Sequence, residues 1–226
     1  MLANRMLMSP IRYSTTKLLL HMNGSNGSTV FTDSSVITKL VTANGNSQIS
    51  TAQYKFGGAS GFFDGSGDYL SIPTSSDFIF NIPWCFDCWF RPARLSNATY
   101  SQFIFRKGDN TQGISLHFDD QSGTRLRFSY GSGSELTFAC TLVLNTWYHV
   151  EVSYDGSKLY CFLDGTLLNT GGTSWTPPSN NSLDFFIGKG VVSQQDYSGY
   201  IDELRWVSGV AGHTSNFTPP TSEYTP

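Results

Sequence analysis

Cys85 and Cys88 stand three apart in WCFDCWFRP, a spacing that suits a soft metal ion or a redox couple. The residues around them alternate as in a strand, and a period of two sends the two thiols to opposite faces. One ion cannot be held from there, and no helix follows to open a redox motif. Cys140 in LTFACTLVL and Cys161 in KLYCFLDG sit in similar patterns. All four cysteines therefore read as small buried hydrophobes. His21, His117, His149 and His213 have no serine or cysteine partner at a recognisable nucleophile turn. Asp202 and Glu203 are adjacent and point apart in a strand; Glu151 and Asp155 are four apart, but Asp155 belongs to a turn. Asp64 and Asp68, in FDGSGDYL, lie on a glycine-rich turn where a hard cation could collect oxygens, with Asn23 and Asp33 as further ligands. The alternative is that both carboxylates accept backbone N–H bonds in an Asx-type turn.

These residues must be positioned by strands. The chain has 226 residues, 39% hydrophobic and 15% aromatic, enough for one well-buried domain. Only 14% are charged and the net charge is −3, which excludes a coiled coil, a charged disordered tail and a phosphate-tracking surface. From Lys17 onward, short apolar or alternating runs follow one another: KLLLHM, then 28–31, 60–63, 69–72, 84–91, 102–107, 114–118, 125–130, 136–142, 147–154, 158–163, 183–188 and 198–206. Gly, Asn, Asp, Ser and Pro separate them, which is turn chemistry. Asp155-Gly156 and Asp164-Gly165 each supply the positive φ angles of a tight hairpin, making a meander. No helical periodicity, membrane-length apolar run, internal repeat or dividing linker is present. The start, MLANRMLMSP, does not read as a secretory signal. The expectation is a protein made in a cytoplasm that stays there or leaves within a larger particle.

TWYHVEVSYDGSKLYCFLDGTLL resembles the central signature of laminin-G-like, concanavalin A-like jelly rolls. FGGASGFFDGSGDYLSIP, FNIPWCFDCWFRP and YSGYIDELRWVSGVA resemble further blocks of that family, in the expected order. The likeness covers about residues 17–220. It implies an all-β antiparallel sandwich of two sheets with six or seven strands each, and a slightly concave face that relatives use for sugars. Residues 1–16 then form an extended arm and 221–226 a tail. The opening LLLHMNGSNGSTVFTDSS and the closing SNFTPPTSEYTP look like variants found in tail and other virion proteins of bacteriophages.

On such a sandwich a glycosidase typically carries Glu-x-Asp-x-x-Glu or a close variant on one strand, and no acidic residue here shows that spacing. A non-enzymatic protein with no required cofactor is expected. The resemblance places Asp202 near Asp64 and Asp68, which implies a structural calcium ion as an option. The sugar-binding candidates are Trp175, Trp89, Asp87, Arg106 and Asn110, with Trp147, Trp206 and Gln112 as neighbours of the same kind. Trp175 stands out because GGTSWTPPSNN lies outside any strand pattern. The arm carries Leu2, Met6, Leu7, Ile11 and Tyr13, more apolar surface than a free tail keeps, and is expected to dock on other virion proteins. Three functions remain open: a virion decoration, head-fibre or tail-associated protein; a calcium-assisted lectin; and a glycan-cleaving enzyme, against which the carboxylate search argues.

Overall fold

The computed structural model describes residues 15–95, 101–109, 111–119, 124–179 and 182–225. The first half of the chain forms β1 (Thr16–Leu20), β2 (Thr42–Asn44), β3 (Gln48–Ser50), β4 (Ser60–Asp64), β5 (Tyr69–Ile72), β6 (Trp84–Pro92), β7 (Gln102–Lys107) and β8 (Ile114–Asp119). The second half forms β9 (Arg125–Tyr130), β10 (Ser134–Ala139), β11 (Tyr148–Tyr154), β12 (Lys158–Leu163), β13 (Thr166–Leu167), β14 (Thr173–Ser174), β15 (Phe185–Ile187) and β16 (Ser198–Ser208). A single 3₁₀ turn, Ser193–Gln195, precedes β16. No described helix is long and apolar enough to cross a membrane.

Two antiparallel sheets result, as the alternation demands. One runs β13-β12-β11-β6-β16-β4-β3, with β1 added against β16 and β14 against β12; the other runs β10-β9-β8-β7-β15-β5-β2. The first sheet therefore has nine strands rather than six or seven, because the two- and three-residue strands β3, β13 and β14 carry too little pattern to read. Residues 28–31, expected as a strand, instead make isolated backbone bonds beside β3, such as Ile49 N to Ser28 O at 2.7 Å. The run expected over 136–142 is β10, ending at Ala139.

β6 shows how the sandwich is filled. Trp84, Phe86, Cys88 and Phe90 alternate into the core, where Phe86 meets Phe105 at 4.1 Å and Trp84 stacks on Trp206 at 4.9 Å. Cys85, Asp87 and Trp89 point the other way, so the two cysteines do face apart, and all four cysteines are free. The outward residues of β6 and β11, apart from half-buried Arg91, are nevertheless buried. Residues 209–225 lie across them, through Gly212 N to Ser153 Oγ (2.9 Å), Leu167 N to Asn216 Oδ1 (2.9 Å), and Phe217 N to Gly165 O (3.0 Å). The segment read as a tail is thus docked through Tyr224. At the other end, Ser208 N donates to Thr15 O and β1 begins at Thr16, so the last two residues of the expected arm belong to the sandwich. The arm residues Leu2, Met6, Leu7, Ile11 and Tyr13 lie outside the described residues.

Of the two Asp-Gly hairpins, Asp164 (φ 48°) and Gly165 (φ 74°) are both left-handed, as read. At the first, only Gly156 is (φ 99°). There Asp155 Oδ1 accepts from Ser157 N and Lys158 N, and this Asx-type bonding replaces the second positive φ.

Candidate functional site

The seven-stranded sheet keeps an open outer face. In ISLHFD the apolar Ile114, Leu116 and Phe118 enter the core, which leaves Ser115 and His117 on the outside. The register aligns Ser115 with Ser129 of β9 and Arg106 of β7, and Ser129 with Glu135 of β10. One position along, His117 aligns with Arg127 and Phe103. These rows floor a pocket of about 270 Å³, closed at its rim by Asp109, Gly113, Gly131, Gly133 and Gln195.

Glu135 organises the polar side. It accepts from Arg127 Nη1 at 2.7 Å and from Ser129 Oγ at 3.0 Å, and His117 Nε2 lies 4.0 Å away. His117 is 3% exposed and stacks on Phe103 at 4.5 Å. Burial pushes its pKa down to about 4, so the ring is neutral at neutral pH. Its Nδ1 is buried and has no hydrogen-bond partner among the described residues. Neutral imidazole, carboxylate and two hydroxyls offer both donors and acceptors, the complement of a hydroxyl-rich ligand.

The sequence candidates scatter around this site. Arg106 lies on the same face, its guanidinium 5.4 Å from the Phe186 ring. Asn110 falls outside the described residues, next to Asp109 of the pocket rim. Trp175 is a correction: it is 5% exposed, packed among Trp84, Phe128, Tyr130 and Tyr154, and offers no platform. Asp87 is also buried, its Oδ2 held by Arg205 Nε at 3.2 Å and Nη2 at 3.0 Å, out of reach of a ligand. Trp89 is covered by Lys55, whose ammonium sits 3.8 Å from the ring centroid. Trp89, half-buried Trp147, Phe56, Lys55 and Asp164 line a second, shallower groove of about 560 Å³ against residues 218–221. Trp206 is core.

The proposed cation ligands do not converge. Asp64 and Asp68 are together: Asp68 Oδ2 accepts from Asp64 N at 2.8 Å, and Asp68 Oδ1 accepts from Asn46 N. Asp196 joins that turn, accepting from Gly67 N at 2.9 Å. Asp64 faces Ser198 in the register, so Asp202 is four positions further along β16, roughly 13 Å at strand rise. There Asp202 Oδ2 accepts from Lys55 N and Phe56 N. Asp33 holds its own loop through Leu19 N, Ser35 N and Lys39 N. Asn23 donates to Glu223.

His117, Ser115, Ser129 and Glu135 were not singled out as a binding set. The signal was present in ISLHFD, where a histidine and a serine share the polar parity of a strand whose other parity is wholly apolar.

Two antiparallel sheets packed face to face as a jelly roll define the concanavalin A-like class of domain. The chain belongs to the concanavalin A-like lectin/glucanases superfamily, whose family model matches residues 64–213. Among solved structures it is similar to domain 4 of AbnA, a GH43 extracellular arabinanase from Geobacillus stearothermophilus, solved in complex with arabinotriose. The two are 17% identical, with 87% of this chain and 94% of that one covered and a TM-score of 0.66. It is also similar to botulinum neurotoxin type C, from a study of cell entry dependent on two ganglioside molecules (13% identity, 88% and 49% covered, TM-score 0.65). The binding domain of Paraclostridial Mosquitocidal Protein 1 gives 12% identity, 88% and 50% covered, and a TM-score of 0.68. The chain spans about half the length of those two toxin chains. At these identities the likeness is one of fold. No curated protein matches the sequence.

Proposed function

We propose that the protein is a non-catalytic, glycan-binding jelly roll displayed on a bacteriophage virion, with the sugar seated around His117. The observation that carries the binding half is the pocket on the outer face of the seven-stranded sheet, lined together by His117, Glu135, Ser115 and Ser129. An arabinotriose-bound domain and a toxin whose cell entry depends on two ganglioside molecules are among its fold neighbours, and they support the same reading. The virion setting is supported by the likeness of the opening and closing segments to phage proteins, and other virion proteins are the partners of the arm.

Catalysis is disfavoured by the state of the two carboxylates at the pocket. Glu135 is engaged by Arg127 and Ser129 rather than free to meet a substrate, and the Asp109 carboxyl is held below the usual range by its bonds to Thr111 and Gln112. A glycosidase needs a free pair of facing carboxyl groups. A glycan array probed with the full chain tests the proposal. Binding should fall about tenfold or more in His117→Phe, which keeps the stacked ring but loses both nitrogens, and in Glu135→Gln. An array without hits, or hits unchanged in both variants, refutes it. Reducing-end release from a bound glycan would refute the non-catalytic part.

A further inference from the structure

His21, Glu203 and Glu223 come from three separate parts of the chain: the residue after β1, the middle of β16 and the C-terminal segment. One ligand atom from each, His21 Nδ1 and a carboxylate oxygen of either glutamate, lies within 4.8 Å of the others. His21 Nδ1 is 2.8 Å from Glu203 Oε1, and Asn23 Nδ2 donates to Glu223 Oε1. Glu203 is 1% exposed, His21 half-buried and Glu223 open to water, so the cluster has a fixed floor and an entry side.

We propose that His21, Glu203 and Glu223, with the Asn23 amide as a fourth ligand, bind a divalent cation of the zinc type. A zinc ion takes imidazole nitrogen and carboxylate oxygen at about 2.1 Å, so tetrahedral ligand atoms stand about 3.4 Å apart. His21 Nδ1 and Glu203 Oε1 stand 2.8 Å apart, the three ligand atoms lie within 4.8 Å of one another, and exposed Glu223 can make the remaining closure. Calcium fits poorly, because it takes six to eight oxygens and this corner supplies a nitrogen. Charge points the same way. Two carboxylates face one imidazole, and His21 also feels Asp202. A cation relieves that repulsion most at the buried Glu203 carboxylate. The corner has no room for another side chain: a Cβ on Gly57 would lie 2.0 Å from Asn23 Oδ1 and 2.2 Å from Glu223 Oε1. Turning the Asn23 amide over presents its oxygen instead of its nitrogen.

The site is independent of the sugar pocket. An ion there would tie the C-terminal segment to β1 and β16. Chelator-treated full-length protein titrated with zinc chloride should take up one ion per chain, and its melting temperature should rise with zinc. His21→Gln and Glu223→Gln, both at the open side, should each weaken uptake about tenfold or more while the metal-free proteins melt near the wild type. Glu203 is left intact because its burial makes a folding defect the first result of changing it. No zinc uptake overturns the proposal. So does uptake unchanged in the His21→Gln, Glu223→Gln double variant, or a stability rise with calcium while zinc has no effect.

Discussion

Asp202 is a carboxylate kept out of water with two backbone N–H groups on a single oxygen. Burial pushes its pKa from 3.8 up to about 7, ahead of the smaller push from neighbouring Glu203. An acid whose folded pKa is raised adds stability that is intact below about pH 4 and is lost as pH climbs through 7. Asp202→Asn keeps an oxygen for Lys55 N and Phe56 N and cannot ionise. Its stability relative to wild type should improve by about 2 kcal/mol between pH 5 and pH 8. Urea melts at the two pH values measure this, and a difference that does not change with pH refutes the buried ionisation. Trp175 tests a different statement, that its indole is core. Trp175→Ala should cost about 4 kcal/mol in the same assay. A loss under about 1 kcal/mol would return Trp175 to the surface.

The C-terminal segment is the element that turns a two-faced sheet into a sheet buried on both sides. Glu151 takes both bonds from His213, its N at 2.7 Å and its Nδ1 at 2.8 Å, while Tyr224 N reaches Glu203 at 2.8 Å. The Tyr224 hydroxyl lies 3.0 Å from Nε2 of His149, a ring whose own pKa burial pushes down to about 4. Tyr224→Phe should cost about 1–2 kcal/mol by orphaning that buried nitrogen. Gly165→Ala attacks the same element by sterics, since its Cβ would lie 2.0 Å from Phe217 O at a residue with φ 74°. It should cost at least about 1 kcal/mol more than Gly58→Ala, where the left-handed φ of 87° is the same kind of strain but a Cβ meets nothing within 4 Å. Equal losses at the two glycines would show that the segment does not press on the Asp-Gly turn. The alternation in WCFDCWFRP and YHVEVSY announced the strands and their inward faces plainly. It did not announce this cover, because SNFTPPTSEYTP has neither period two nor a helical stripe. Asp87 was misread as ligand-facing for the same reason. His117 and Glu135 were legible as outward residues but not as neighbours, since β8 and β10 meet only through β9.

At the scale of the molecule, the fold class was legible because four sequence blocks in order constrain the whole sandwich, whereas strand number depended on pairings too short to show a pattern. The arm offers a test at this scale. Because β1 begins at Thr16, removing residues 1–14 should leave the melting temperature nearly unchanged, and on the proposed virion role it should abolish incorporation into a particle. Normal assembly of the truncated protein would dismiss the docking role, as would its unfolding. The pairing of β16 bears on how the chain is made. This late strand lies in the interior of the nine-stranded sheet, with β6 along one edge and β4 then β1 along the other, the handover falling at Glu203, whose φ is 49°. β6, β4 and β1 each lack one neighbour until residues 198–208 leave the ribosome, although β6 can already pair with β11 and β4 with β3. Until then β6 and β4 expose unpaired edges that another nascent chain can occupy. Synthesis of many copies at once therefore exposes these edges to one another in the interval before β16 emerges, and slower translation after residue 197 would lengthen it.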